Sequence, residues 1–253
     1  VVAVNGDNSQ TWSRTEVAAV LSQNQGSTVV ITWRRPESLE SSGGQTFTTT
    51  LQCEEYDEVN VTWEYDEDRT VGYIKAKQLT QNVSSLVKGA IEELTGQGAR
   101  AFVLDIRDNP GGYLSQAVDL SSLFMNGGTV VEVQTVDGSS AKAATGQPAT
   151  ALPLVLLVNK NTAAAAEVVA AALKESQRAT LVGDTTMGKG SVQVIHELQF
   201  GGALRYTAAY YLTPEGHAID DVGVTPEVVI SDTGEDDAQK EYALSLAGSQ
   251  ALA

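Results

Sequence analysis

The sequence predicts an α/β fold: a core with a mostly parallel sheet, preceded by a small β-rich module. Two observations carry this. From residue 71 onward, short apolar strands alternate with segments of helical periodicity, the pattern that builds parallel sheets covered by helices. Residues 1–52 instead read as short strands joined by hairpin-type turns. The expected organisation is a β-rich module over 1–52, a linker over 53–70, the core over 71–231 and an acidic tail over 232–253.

In the module, Val1 to Val4 reads as a strand running into the turn Asn5-Gly6-Asp7. A strand that opens a chain has no earlier partner, so further residues are expected upstream. Ser13 can cap a helix carrying Glu16, Val17, Val20 and Leu21. Thr28 to Arg35 and Gln45 to Leu51 form a strand pair around Ser41-Ser42-Gly43-Gly44. The stretch 53–70 is acidic and ends in a strand, with Asp66-Glu67-Asp68 as its turn.

In the core, Val71 to Ala76 is the first strand. Val83, Leu86, Val87, Ala90, Ile91 and Leu94 then form the apolar stripe of a helix stopped by Gly96 and Gly98. Ala101 to Ile106 and Leu152 to Val158 are continuous apolar runs, as strands buried on both faces should be. Helices are expected from about Ser115 to Phe124 and from Glu167 to Lys174, and strands over Thr129 to Thr135 and Ala179 to Val182. The stretch 137–151 reads as a small-residue loop, and 191–212 as two strands around Phe200-Gly201-Gly202. From 232 the chain is acidic and helical at best.

Composition removes several function classes. The 253 residues carry a net charge of −16 and a pI near 4.4. This argues against nucleic acid and anionic lipid as partners, since both need a basic face. A single cysteine, Cys53, allows no internal disulfide and reads as a small apolar strand residue. Two histidines, His196 and His217, exclude a histidine-rich metal site. No apolar run approaches the length of a bilayer span and no signal peptide is seen.

Three motifs carry chemistry, each at the end of a strand. The first is Leu104-Asp105-Ile106-Arg107-Asp108-Asn109-Pro110-Gly111-Gly112, a glycine turn whose N–H groups could stabilise an oxyanion. The second is Asn159-Lys160-Asn161-Thr162-Ala163-Ala164-Ala165-Ala166-Glu167, a strand-to-helix turn of the kind that presents a nucleophile. Thr162 reads as a helix cap there rather than as a nucleophile. The third is Gly188-Lys189-Gly190-Ser191-Val192-Gln193. A desolvated lysine can act as a general base. Gln193, four residues on, is expected on the same side of a strand as Lys189. Glu175 and His196 read as ordinary solvated and strand positions.

With Tyr210-Tyr211-Leu212-Thr213-Pro214 and Gly223-Val224-Thr225-Pro226-Glu227-Val228 added, residues from about 71 to 230 resemble the carboxyl-terminal processing peptidases, the tail-specific proteases of the S41 serine type. Residues 1–52 resemble the second half of a PDZ domain. The resemblance implies a serine–lysine endopeptidase acting near protein C-termini, with Lys189 as general base and Gln193 as its positioning residue. Gly111, Gly112 and Ala165 would form the oxyanion hole, and the nucleophilic serine aligns on Ala164. The partners implied are extended C-terminal peptide segments, homo-oligomers are left open, and no metal or cofactor takes part. An extracytoplasmic location is implied by the family alone. An alanine methyl cannot attack a carbonyl, so this chain reads as an inactive form. The reading adopted is a serine replaced by alanine. The alternative is a natural pseudo-peptidase that binds without cutting.

Overall fold

A computed structural model describes residues 1–9, 11–23, 26–37, 44–53, 59–199, 201–231 and 237–252. The chain divides into two compact units, Val1–Glu58 and Val59–Ala253.

The first unit contains β1 (Ala3–Val4), α1 (Arg14–Gln23), β2 (Thr28–Arg35) and β3 (Gln45–Gln52). The strands form an antiparallel sheet in the order β1-β2-β3. Alternation along β2 buries Val29 and Ile31 beside Val4, against Val17, Val20 and Leu21 of α1. Cys53 packs against this cluster, as a small apolar residue would. Ser13 and Glu16 exchange bonds across the first turn of α1, since the Glu16 carboxylate accepts from Ser13 N–H and Ser13 Oγ accepts from Glu16 N–H. Most of the expected 41–44 turn lies outside the described residues.

The second unit begins with β4 (Val61–Asp66), β5 (Val71–Ala76), α2 (Val83–Gln97), β6 (Ala101–Asp105), α3 (Leu114–Ser122), β7 (Thr129–Thr135) and β8 (Gly138–Ala143). It continues with β9 (Leu154–Val158), α4 (Ala165–Glu175), β10 (Thr180–Gly183), β11 (Ser191–Glu197), β12 (Ala203–Leu212), β13 (Val228–Val229) and α5 (Ala238–Ala251). Its main sheet has the order β13-β10-β9-β6-β5-β4, parallel throughout except for β4. Every residue of β6 and β9 is buried, because both faces of the sheet are covered. Phe102, Leu104 and Leu156 face α2, α3 and α4. Val103, Val155 and Leu157 face Ala243, Leu244 and Ala247 of α5. A second, antiparallel sheet has the order β11-β12-β7-β8.

The strand expected at the end of the 53–70 stretch is β4, which pairs with β5 along its whole length. Two expectations change. The loop over 137–151 contains β8, a fully exposed strand held by its ladder to β7. The tail over 232–253 supplies α5, whose small apolar stripe closes one face of the sheet. Because β6, β9 and β10 are parallel neighbours, the loops that leave them emerge together at the carboxyl edge of the sheet, where α/β folds place ligands.

Candidate active site

The turn after β9 is fixed from several directions. Ala163 N–H donates to Asn109 O at 2.9 Å, and Met187 N–H donates to Thr162 O at 3.0 Å. Thr162 is buried, and its Oγ1 donates to Ile106 O and accepts from Asn159 N–H. It therefore bridges the ends of β6 and β9 rather than capping α4. Ala164 takes the position before α4 with φ 53° and ψ −123°. A non-glycine residue held there costs on the order of 1–3 kcal/mol and persists only where its surroundings enforce it. A strained residue at a strand-to-helix turn is how α/β hydrolases present a nucleophile.

The glycine loop lies against this turn. Gly111 has φ +91°, and a Cβ there would sit 2.8 Å from Ala163 O and 2.9 Å from Ala165 N. A Cβ on Gly112 would sit 2.2 Å from Leu79 O. Asn109 is buried, donating to Ala76 O and accepting Gly111 N–H on Oδ1 at 2.9 Å. The N–H groups of Gly112 and Ala165 have no hydrogen-bond partner among the described residues. Asp108 accepts from Asn161 at 2.7 Å and Asn159 at 3.0 Å. These bonds lower its carboxyl below the usual range. Behind the loop, Arg107 forks between buried Asp105 and Asp237 at the start of α5. The guanidinium bond holds Asp237 below the usual carboxylate range. Burial, then Asp105, pushes the Tyr73 hydroxyl upward.

Glu167, buried on α4, joins the nucleophile turn to the lysine loop. Its Oε2 accepts Ala164 N–H at 2.9 Å and Lys189 N–H at 2.8 Å. Its Oε1 accepts Thr186 Oγ1–H at 2.5 Å and Gly188 N–H at 2.7 Å. One carboxylate oxygen thus separates the backbone nitrogens of positions 164 and 189. From the other side, Asp220 Oδ1 accepts Gly190 N–H at 3.0 Å and Asp221 N–H donates to Gly188 O at 2.8 Å.

Two sequence expectations fail here. Lys189 is exposed rather than desolvated, and its ammonium has no partner among the described residues. Strand alternation does not pair Gln193 with it, because Lys189 lies before β11 begins at Ser191; the irregularity beside Gln193 adds its extra residue, Ala208, to β12. The Gln193 amide donates instead to Thr207 Oγ1 at 2.6 Å. The residue that does connect the motifs, Glu167, carried one sequence signal, an acidic side chain three positions after the turn residue, where a helix-start carboxylate reaches back. Its partners at 186–189 carried none.

Residues 70–230 match the model of peptidase family S41, and the chain belongs to that family. The carboxyl-terminal-processing protease of Synechocystis sp. is 36% identical over 237 residues, covering 91% of this chain and 54% of that protein. Carboxyl-terminal-processing peptidase 2, chloroplastic, of Arabidopsis thaliana is 42% identical over 166 residues, covering 62% of this chain and 31% of that protein. Among solved structures, a photosystem II D1 C-terminal processing protease superposes with a TM-score of 0.67 at 29% identity, covering 98% of this chain and 66% of that one. The chain spans about half the length of the Synechocystis relative.

Proposed function

We propose that this chain is the core of a serine–lysine peptidase that processes proteins near their C-termini, with Ala164 standing where the serine belongs. The observation that carries the reading is the Glu167 carboxylate, which binds the backbone of position 164 and of Lys189 through one oxygen. The strained backbone of Ala164 supports it. With serine at 164, Oγ would attack the scissile carbonyl carbon while Lys189 Nζ takes the hydroxyl proton. The N–H groups of Ala165 and Gly112 would hold the oxyanion, Gly111 supplying the space beside the turn. Collapse would pass the proton from Lys189 to the leaving amine and leave an acyl-enzyme, which water hydrolyses. Substrate laid over the exposed lysine would exclude water, which disfavours its charged form. Gln193 would position Lys189 only after leaving Thr207.

The substrate would bind as an extended segment along a strand edge. Residues 1–52 are read as the second half of a PDZ-like module, and an extracytoplasmic location follows from the family resemblance. Among the described residues, no helix is long and apolar enough to cross a membrane.

The exposure of Lys189 and the engagement of Gln193 elsewhere favour one other reading, a pseudo-peptidase that binds tails without cutting. Peptidase activity of Ala164→Ser on an unfolded protein decides between them. Cleavage that disappears with Lys189→Ala supports the first reading. A folded Ala164→Ser protein that binds tails and cuts nothing supports the second.

A further inference from the structure

We propose that Glu175, Glu215 and His217 form a site for a divalent transition metal, zinc by the chemistry of its donors, at the end of α4 remote from Ala164. His217 Nδ1 lies 3.4 Å from Glu175 Oε1 and 4.0 Å from Glu215 Oε2. All three ligand atoms fall within 4.8 Å of one another. Ligands bonded to a tetrahedral zinc at roughly 2.0–2.2 Å sit about 3.4 Å apart. The Glu175–His217 pair already has that spacing. Glu215 needs only a small rotation, and its side chain is 63% exposed and free to make it.

The backbone that carries these ligands is set by bonds other than the ligand contacts. Glu175 Oε2 accepts Glu215 N–H at 2.8 Å. Thr213 N–H donates to His217 O at 2.8 Å, Gly216 N–H to Thr213 O at 2.9 Å, and His217 N–H to Thr213 Oγ1 at 3.2 Å. Two carboxylates and one imidazole are thereby gathered on a tight loop and a helix end. Among the described residues neither Glu175 nor Glu215 pairs with lysine or arginine. The neighbouring Lys174 ammonium donates to Thr225 O. A mere ion pair with histidine would use one carboxylate. The second is repelled by the first unless a cation lies between them. The carbonyl end of α4 adds negative potential at the same place. Nitrogen and carboxylate donors together suit zinc better than calcium or magnesium, which take oxygen alone.

The ion would not take part in peptide cleavage, since the length of α4, about 1.5 Å per residue, separates the two sites. It would clamp the 213–217 loop to α4. The same strand of chain continues to Asp220 and Asp221, which hold the lysine loop. The proposal does not depend on how Ala164 is read.

Zinc titrated into EDTA-treated, dialysed protein tests this, with calorimetry and thermal melting as readouts. The parent should bind one zinc per chain and melt higher with it. His217→Ala should weaken binding about tenfold or more and lose the thermal shift, and exposed Glu215→Gln should weaken it too. His196→Ala should bind as the parent does. Absence of stoichiometric binding by the parent, or unchanged affinity in a folded His217→Ala protein, overturns the proposal.

Discussion

Replacing Glu167 by glutamine isolates the carboxylate that joins the two loops. The side chain keeps its shape, but one of the two oxygens becomes an NH2 group. Glu167 is fully buried and accepts four hydrogen bonds, two on each oxygen. Whichever way the amide turns, its NH2 confronts two donors. In the better orientation the oxygen keeps Ala164 and Lys189, and Gly188 N–H is left unpaired. Thr186 gives only partial relief: its Oγ1, which accepts Val224 N–H at 2.7 Å, can take the NH2 on its second lone pair, but its own O–H then loses its acceptor and is the second unmet donor. Each buried donor left unmet costs about 1–3 kcal/mol, so two give a loss of roughly 2–6 kcal/mol from a total of about 5–15 kcal/mol. At about 2–4 °C per kcal/mol for a domain of this size, Tm should fall by roughly 5–20 °C. Thermal melting of Glu167→Gln at neutral pH measures this, with exposed Glu93→Gln as the control. A melting point within about 2 °C of the parent would refute the reasoning, since it would mean the four bonds are replaceable by water or by small loop shifts.

Ala164→Gly should leave Tm unchanged or raise it, because relief of φ 53° offsets the entropy of an added glycine. A fall of several degrees would show that the turn is not strained. Gly111→Ala should destabilise by about 2 kcal/mol or more, since it combines φ +91° with contacts of 2.8 and 2.9 Å to the 163–165 turn. In the Ala164→Ser background it should abolish any cleavage, and a thermal melt beside the assay separates unfolding from a displaced turn. Acidification should release α5. Asp237 is held below its ordinary range by Arg107, so its contribution is present above the usual carboxylate pKa and disappears as pH falls through the lowered value. The stability of Asp237→Asn should therefore change less between pH 7 and pH 3 than that of the parent, measured by urea unfolding at each pH.

The main sheet was legible because its signal is local. β6 and β9 are unbroken apolar runs, and α2 shows its stripe at 3.6-residue spacing. Where pairing rather than burial makes an element, the signal vanishes: Gly138–Ala143 is small, polar and exposed, and exists as a strand only beside β7. α5 hides for another reason. Its core contact is made by Ala243 and Ala247 with one leucine, Leu244, a stripe too weakly apolar to stand out from an acidic segment.

The site divides along the same line. That three loops meet at one sheet edge follows from strand order, and strand order follows from short parallel connections. Which side chain faces which does not. Period 2 placed Gln193 beside Lys189, but Lys189 lies before β11 begins at Ser191, so strand alternation does not extend to it. Glu167 shows the converse. Its position three residues into α4 suggested only a bond back to its own helix start. The fold brings Thr186, Gly188 and Lys189 to the same carboxylate, so one local bond became the junction of the site. Because that junction grips only the backbone of Lys189, the lysine side chain stays free to move toward position 164 or away from it. The arrangement therefore fixes where the lysine is rooted and leaves its engagement to whatever covers the loop.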